Sequence, residues 1–151
     1  CDMAVRLGAD CPFFIYNKPC FAESIGEELT PIDIDLSGRW LLIVKPDVYV
    51  STREAFSGIT PKSPKFDLRF LPDLPLSKWK DLVVNDFEES IFPAHPELAN
   101  LKSNIYKLGA TYASMSGSGS SIYGIFEEGD AAKNARDVLG STYSGVWLFE
   151  L

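Results

Sequence analysis

The 151-residue chain is 46% hydrophobic and 23% charged, a balance that argues against disorder and predicts one domain, or one domain plus part of another, with a buried core. Its 14 basic and 21 acidic side chains give a formal charge of -7 without any run of Lys or Arg, so a nucleic-acid backbone is not an expected partner, whereas a phosphorylated metabolite remains open. The longest apolar stretches, such as 40–44, have the length of a strand and are too short to cross a bilayer.

In chain order, Cys1 to Leu7 has Met3, Ala4 and Leu7 at helical spacing with Gly8 as the stop, and reads as the last turns of a helix whose beginning is absent. The first residue is not methionine and no secretory leader pattern precedes the apolar positions, so a processed or truncated start is expected. The apolar run from Cys11 to Tyr16, bounded by turn residues at 17–19, predicts a buried strand. Residues 20–24 and 28–32 predict two more strands around a turn at Gly26, and Arg39 to Lys45 a central strand ended by Pro46. From Ser51 the pattern becomes helical, with Ser51 or Thr52 as N-cap and Glu54 in the first turn.

Four prolines, at 61, 64, 72 and 75, mark residues 57–76 as a loop or lid. Helices are predicted over 82–92 and 97–108, with Gly109 closing the second. The tail reads as strand 111–115, a glycine-serine turn at 116–120, strand 121–126, helix 130–139 and strand 145–150. This order of strand, helices, two strands, helix and strand is a split β-α-β plan, so the fold class is α+β and ferredoxin-like.

The chemistry is limited by composition. The cysteines Cys1, Cys11 and Cys20 are odd in number and lack a C-x-x-C pair, so reduced thiols in a cytoplasmic protein are expected, and neither a disulfide framework nor a metal site. One histidine, His95, is too few for a Ser-His-Asp or His-metal constellation. Three segments remain. Asp10, between a helix end and an apolar run, is expected to be partly desolvated; it either accepts a proton in a reaction or caps the turn before Pro12. In the segment Ser116-Gly117-Ser118-Gly119-Ser120 the glycines let backbone N–H groups converge on an anion and the serines add hydroxyl donors, although a hairpin turn needs no ligand. Lys45 to Phe56 offers the Thr52 hydroxyl and the Phe56 ring, which either stacks on a base or packs in the core. Asn85-Asp-Phe-Glu88 reads as a helix N-cap with Glu88 in the capping-box position, a structural role.

Together and in this order, Leu7-Gly-Ala-Asp-Cys-Pro-Phe-Phe, Ala22-Glu-Ser-Ile-Gly-Glu, Lys45-Pro with Val50-Ser-Thr-Arg-Glu-Ala-Phe, Asn85-Asp-Phe-Glu, and the 109–121 segment around the glycine-serine loop resemble the family of 4-diphosphocytidyl-2-C-methyl-D-erythritol kinases, in the GHMP superfamily. The resemblance implies that Asp10 is the catalytic acid-base residue and that the loop of Ser116, Gly117, Ser118, Gly119 and Ser120 lies near phosphate groups. It also implies that Phe56 packs on a cytosine with Thr52 nearby, and that the backbone of Ile25 touches the cytidine. The activity implied is transfer of the γ-phosphoryl group of ATP, with Mg²⁺, to a hydroxyl of a small cytidine diphosphate acceptor in isoprenoid precursor synthesis. A homoserine or mevalonate type of GHMP kinase and a non-catalytic domain of the same fold are the alternatives. The family's upstream lysine strand and glycine-rich nucleotide loop are not in these residues, so 1–26 is expected to be a remnant of an N-terminal domain and 27–151 the C-terminal domain. The polypeptide by itself is then expected to be inactive, and Phe13, Phe14 and Ile15 to be exposed and to favour a homodimer.

Overall fold

A computed structural model of the chain describes residues 6–8 and 10–151. The expected helix end at 1–7 therefore lies mostly outside the described residues, as do Cys1 and Ala9. The chain divides into two compact units, Cys1–Asp35 with Asp67–Leu74, and Leu36–Phe66 with Pro75–Leu151.

In the first unit, α1 (Cys11–Tyr16) is a helix where a buried strand was expected. A six-residue apolar run has no period that separates the two states. Two local signals decide for helix: Pro12 stands in the first turn, where its missing N–H costs nothing, and Asn17 ends the helix in the left-handed conformation at φ 49, its N–H bonded to the Phe13 carbonyl. Only Pro12 of this helix is buried, whereas Phe13, Phe14, Ile15 and Tyr16 are exposed. Strands β1 (Cys20–Glu23) and β2 (Glu28–Pro31) form the expected antiparallel hairpin, with Glu23 opposite Glu28. A 3-10 helix at Leu68–Asp73, inside the segment expected to be a loop, also belongs to this unit. Asp67 accepts from the Arg69 backbone N–H and pairs with its guanidinium, which lies 5.7 Å from the Phe21 ring centroid.

The second unit carries the sheet. Strands β3 (Trp40–Lys45), β4 (Tyr112–Met115), β5 (Ile122–Phe126) and β6 (Gly145–Glu150) run antiparallel in the order β4-β5-β3-β6. Helices α2 (Thr52–Ser57), α3 (Leu76–Leu82), α4 (Phe87–Ala94) and α5 (Pro96–Lys107) lie between β3 and β4, and α6 (Gly129–Gly140) joins β5 to β6. This is the ferredoxin-like α+β plan expected from the element order.

Period-two alternation puts Leu42 and Val44 of β3, Ala113 and Met115 of β4 and Ile122 and Phe126 of β5 on one face. Leu98, Leu101 and Ile105 of α5, and Ala132, Ala135 and Leu139 of α6, recur at helical spacing and close over that face as the core. Gly124 is the small residue that allows this contact, since a Cβ there would stand 2.5 Å from Ile105 Cγ2. The helix expected over 82–92 starts only at Phe87, and Leu82 is instead the last residue of α3. Val83, extended at φ -98 and ψ 105, ends α3, and Asn85 restarts the chain by accepting from the Phe87 N–H through Oδ1 at 3.0 Å.

Candidate functional site

The hairpin loop between β4 and β5 is held in shape from several sides. Within it, the Ser116 N–H bonds to the Ser121 carbonyl at 2.8 Å and the Gly119 N–H to the Ser116 carbonyl at 3.0 Å. Gly117 at φ 53 and Gly119 at φ 93 occupy the left-handed region that L side chains avoid. Among the described residues, no acceptor takes the N–H of Gly117 or Ser118, so two consecutive donors are left at the loop tip. This is the arrangement in which a backbone turn holds an anion. The serines divide: Ser116 is exposed and Ser118 half-buried, while Ser120 is buried and donates to the Val48 carbonyl. Lys45 Nζ donates to Ser120 Oγ at 3.1 Å and to its neighbour's carbonyl at Pro46. The Ser120 hydroxyl therefore ties the loop to the end of β3, so it does not act as the outward donor expected from the sequence.

A shallow groove of about 470 Å³ starts at this loop and is lined by Ile59, Val83, Phe87, Tyr112, Met115 and Gly117 among others. Tyr112 and Tyr123 stand beneath it, and burial raises both hydroxyls above the usual tyrosine range, so they are neutral at ordinary pH. At its far end Phe87 meets Phe56 edge to face, with ring centroids 4.9 Å apart at 77°. Phe56 is 62% exposed, so the core-packing alternative fails and a ring face stays accessible.

Helix α2, which carries Phe56, begins as expected. Ser51 Oγ accepts from the Glu54 N–H at 3.1 Å, and Thr52 is exposed in the first turn. Glu54 also pairs with His95 at 2.9 Å, binding α2 to the end of α4. Thr52, Phe56 and the glycine-serine loop thus belong to one unit, in which Phe56 meets Phe87 and the loop meets Asn85 at the start of α4.

Asp10 and Ile25 lie in the other unit. Asp10 occupies the N-cap position of α1 without a side-chain cap bond and is exposed, not partly desolvated as expected. Its Oδ1 lies 3.5 Å from where a Cβ on Gly26 would be, so the carboxylate faces the β1–β2 turn. Ile25, 74% exposed, stands in that turn, and its N–H already donates to Glu27 Oε2 at 2.9 Å. Glu27 also accepts from Ser24, and its own backbone N–H, with these two donors, holds its carboxyl below the usual range. The Ile25 carbonyl is the backbone group left for a ligand.

The residues that sequence reasoning missed are Asn85 and Glu88. Asn85 stands one residue before the N-cap position, which falls to Asp86, and caps the helix start through the Phe87 N–H, but Glu88 does not reach back to a backbone N–H as a capping box requires. Instead, Asn85 Nδ2 donates to the Met115 and Gly117 carbonyls, each at 2.8 Å. Glu88 Oε1 accepts from the Met115 N–H at 2.8 Å and from Ser114 Oγ at 3.0 Å, and Oε2 pairs with Lys102. Their presence in a segment carrying the family resemblance was the available signal. Among the described residues, no group of three metal-ligating side chains comes together, Cys11 and Cys20 are free thiols, and no helix is long and apolar enough to cross a membrane.

A family profile described as GHMP kinases C terminal matches residues 73–145. The chain is 52% identical over 124 residues to the 4-diphosphocytidyl-2-C-methyl-D-erythritol kinase of Bacteroides thetaiotaomicron, covering 82% of this chain and 45% of the relative. It is 51% identical over 148 residues to the enzyme of that name from Parabacteroides distasonis, covering 98% and 53%. The chain thus spans about half the length of the curated relatives it matches. A crystal structure of 4-(cytidine 5'-diphospho)-2C-methyl-D-erythritol kinase superposes with a TM-score of 0.81 at 26% identity, over 95% of this chain and 53% of that one. Homoserine kinase from Cytophaga hutchinsonii, at 18% identity and a TM-score of 0.55, shares the fold alone.

Proposed function

The chain belongs to the GHMP kinases, as the counterpart of the C-terminal part of the 4-diphosphocytidyl-2-C-methyl-D-erythritol kinases, and from this we propose that its protein transfers the γ-phosphoryl group of ATP to that substrate's 2-hydroxyl. The observation that carries the reading is the pairing, in one unit, of an accessible aromatic ring with a loop tip offering two unpaired N–H groups. A cytidine diphosphate asks for those two contacts, a flat apolar face for the base and amide donors for phosphate oxygens.

In this reading Phe56 receives the cytosine, Thr52 supplies a hydroxyl beside it, the Ile25 carbonyl touches the nucleoside, and the Gly117 and Ser118 amides stabilise phosphate charge. Asp10 takes the proton from the acceptor hydroxyl as that hydroxyl's oxygen bonds to the γ-phosphorus and ADP departs; no cap bond occupies the exposed carboxylate's oxygens. Phosphoryl transfer depends on positioning and charge stabilisation more than on covalent chemistry, which fits a site built from amides and one carboxylate. Mg²⁺ neutralises the nucleotide's phosphates in such reactions. Residues 1–26 would then belong to the N-terminal domain and 27–151 to the C-terminal domain, and the work would be done in the cytoplasm.

The homoserine type of GHMP kinase shares the fold, but nothing in its acceptor calls for an accessible aromatic face. The test is steady-state transfer by the intact protein and its Asp10→Asn variant. Loss of roughly a hundredfold or more in kcat is expected for the loss of a general base, and near-normal turnover would remove Asp10 from the mechanism.

A further inference from the structure

One turn of chain, at the start of α4, touches both ends of the candidate site. Asn85 donates to the carbonyls of Met115 and Gly117, and Glu88 accepts from the N–H of Met115, so the peptide groups on both sides of Met115 are gripped. These bonds close over 27 to 32 residues of chain. Between the two, Phe87 holds its ring against Phe56. The loop has few bonds of its own, and its two left-handed glycines give it more freedom than other residues would.

We propose that Asn85, Phe87 and Glu88 are positioning residues that fix the glycine-serine loop relative to the Phe56 ring, setting the span a nucleoside diphosphate must match to be held at base and phosphate together. The proposal rests on the kinase reading above for its ligand, and on the hydrogen bonds alone for the clamp. Its physical ground is that a few tenths of an ångström of slack at a phosphate-holding turn is expensive in rate, and that a turn is fixed best by groups on a rigid helix. Lys102, on α5, compensates the Glu88 charge, so the carboxylate can face a backbone N–H in a half-buried place without an uncompensated charge.

Asn85 allows capping to be separated from clamping. In Asn85→Asp the side chain keeps an oxygen to accept from the Phe87 N–H but loses both donors to the loop. Two measurements on the intact protein are needed: hydrogen exchange of the Ser116 and Gly119 amides, the two loop amides that are hydrogen-bonded, and steady-state kinetics with ATP and the cytidine acceptor. The proposal expects Asn85→Asp and Asn85→Ala alike to speed loop exchange by about tenfold, for the loss of two hydrogen bonds. It also expects kcat/KM to fall by about tenfold while the melting temperature moves only a few degrees. Phe87→Leu should instead raise the acceptor KM and leave that for ATP in place. Loop exchange in Asn85→Asp at the wild-type rate would overturn the proposal by reducing Asn85 to a cap. If the wild-type protein failed to phosphorylate a cytidine acceptor, the kinase reading would fall, and the exchange measurement would still decide the clamp.

Discussion

Removing the Glu88 carboxylate should unsettle the second unit more than any other single polar change. The side chain is 12% exposed and serves three donors, the Met115 N–H, Ser114 Oγ and Lys102 Nζ, whose own side chain is 22% exposed. In Glu88→Ala the Met115 N–H is left buried without a partner, at about 1 to 3 kcal/mol, and the Ser114 hydroxyl loses an acceptor. Breaking a buried pair from one side costs about 3 to 5 kcal/mol. These are two descriptions of one loss, so they are not summed. Lys102 can swing its ammonium toward water, which places the expected loss near the lower end, about 3 kcal/mol. For a chain of this length that corresponds to a fall in melting temperature of roughly 6 to 12 °C. Glu88→Gln, which keeps one acceptor oxygen, should lose about half as much. Urea unfolding at neutral pH, followed by far-UV circular dichroism, reads both values. A loss below about 1 kcal/mol for Glu88→Ala, with an unchanged urea slope, would refute the reasoning.

Gly124→Ala drives a methyl group to 2.5 Å from Ile105 Cγ2 in the helix-sheet interface, so it should destabilise by about 1 to 3 kcal/mol; a neutral result in thermal unfolding would mean that α5 can shift. Ser51→Ala removes the bond to the Glu54 N–H and should cost about 1 kcal/mol by the same assay. Burial holds the Tyr112 and Tyr123 hydroxyls above the ordinary tyrosine value of about 10. Below pH 10 both the folded and unfolded forms are protonated and these groups make no difference. As pH rises past 10 the unfolded chain ionises first, so stability falls with further increase in pH. Burial raises the Tyr106 hydroxyl as well, so ultraviolet titration should show three of the six tyrosines ionising above the others, and six equivalent transitions near about pH 10 would contradict the burial.

Where periodicity extended over enough residues, the sequence was sufficient. The two helices over the sheet and the antiparallel strands beneath them follow from apolar spacing such as Leu98, Leu101, Ile105 and Leu42, Val44. It failed where the run was short or the decisive contact distant. Cys11–Tyr16 carries no polar residue to report a period, and Pro12 and Asn17 decided for helix. The 82–92 segment has helical spacing throughout, yet its helix starts only at Phe87, because Val83 is extended and Asn85 accepts from the Phe87 N–H. Pro72 hid a 3-10 helix inside an expected loop.

The same division holds for the site. Ser51 capping and the Gly117 and Gly119 turn are local, and were legible. The bonds from Asn85 and Glu88 to the loop span 26 to 32 positions, so a local motif reading mistook them for a capping box. The fate of Ser120 was hidden for the same reason, since its partners Lys45 and Val48 lie more than seventy residues away. The exposure of Phe56 could not be read from spacing, because an aromatic at one position of a short helix is as consistent with the core as with a ligand.

Phosphorylation of a cytidine diphosphate acceptor stacked on Phe56, as proposed above, can be tested directly. The most direct measurement offers the intact protein ATP and Mg²⁺ with 4-diphosphocytidyl-2-C-methyl-D-erythritol or, separately, homoserine, and follows ADP release for the wild type and Phe56→Ala. Turnover is expected with the cytidine compound alone, with a rise in its KM of roughly five- to 150-fold in Phe56→Ala, the equivalent of about 1 to 3 kcal/mol of stacking. Turnover of homoserine in preference, or a cytidine KM that the substitution leaves unchanged, would contradict it.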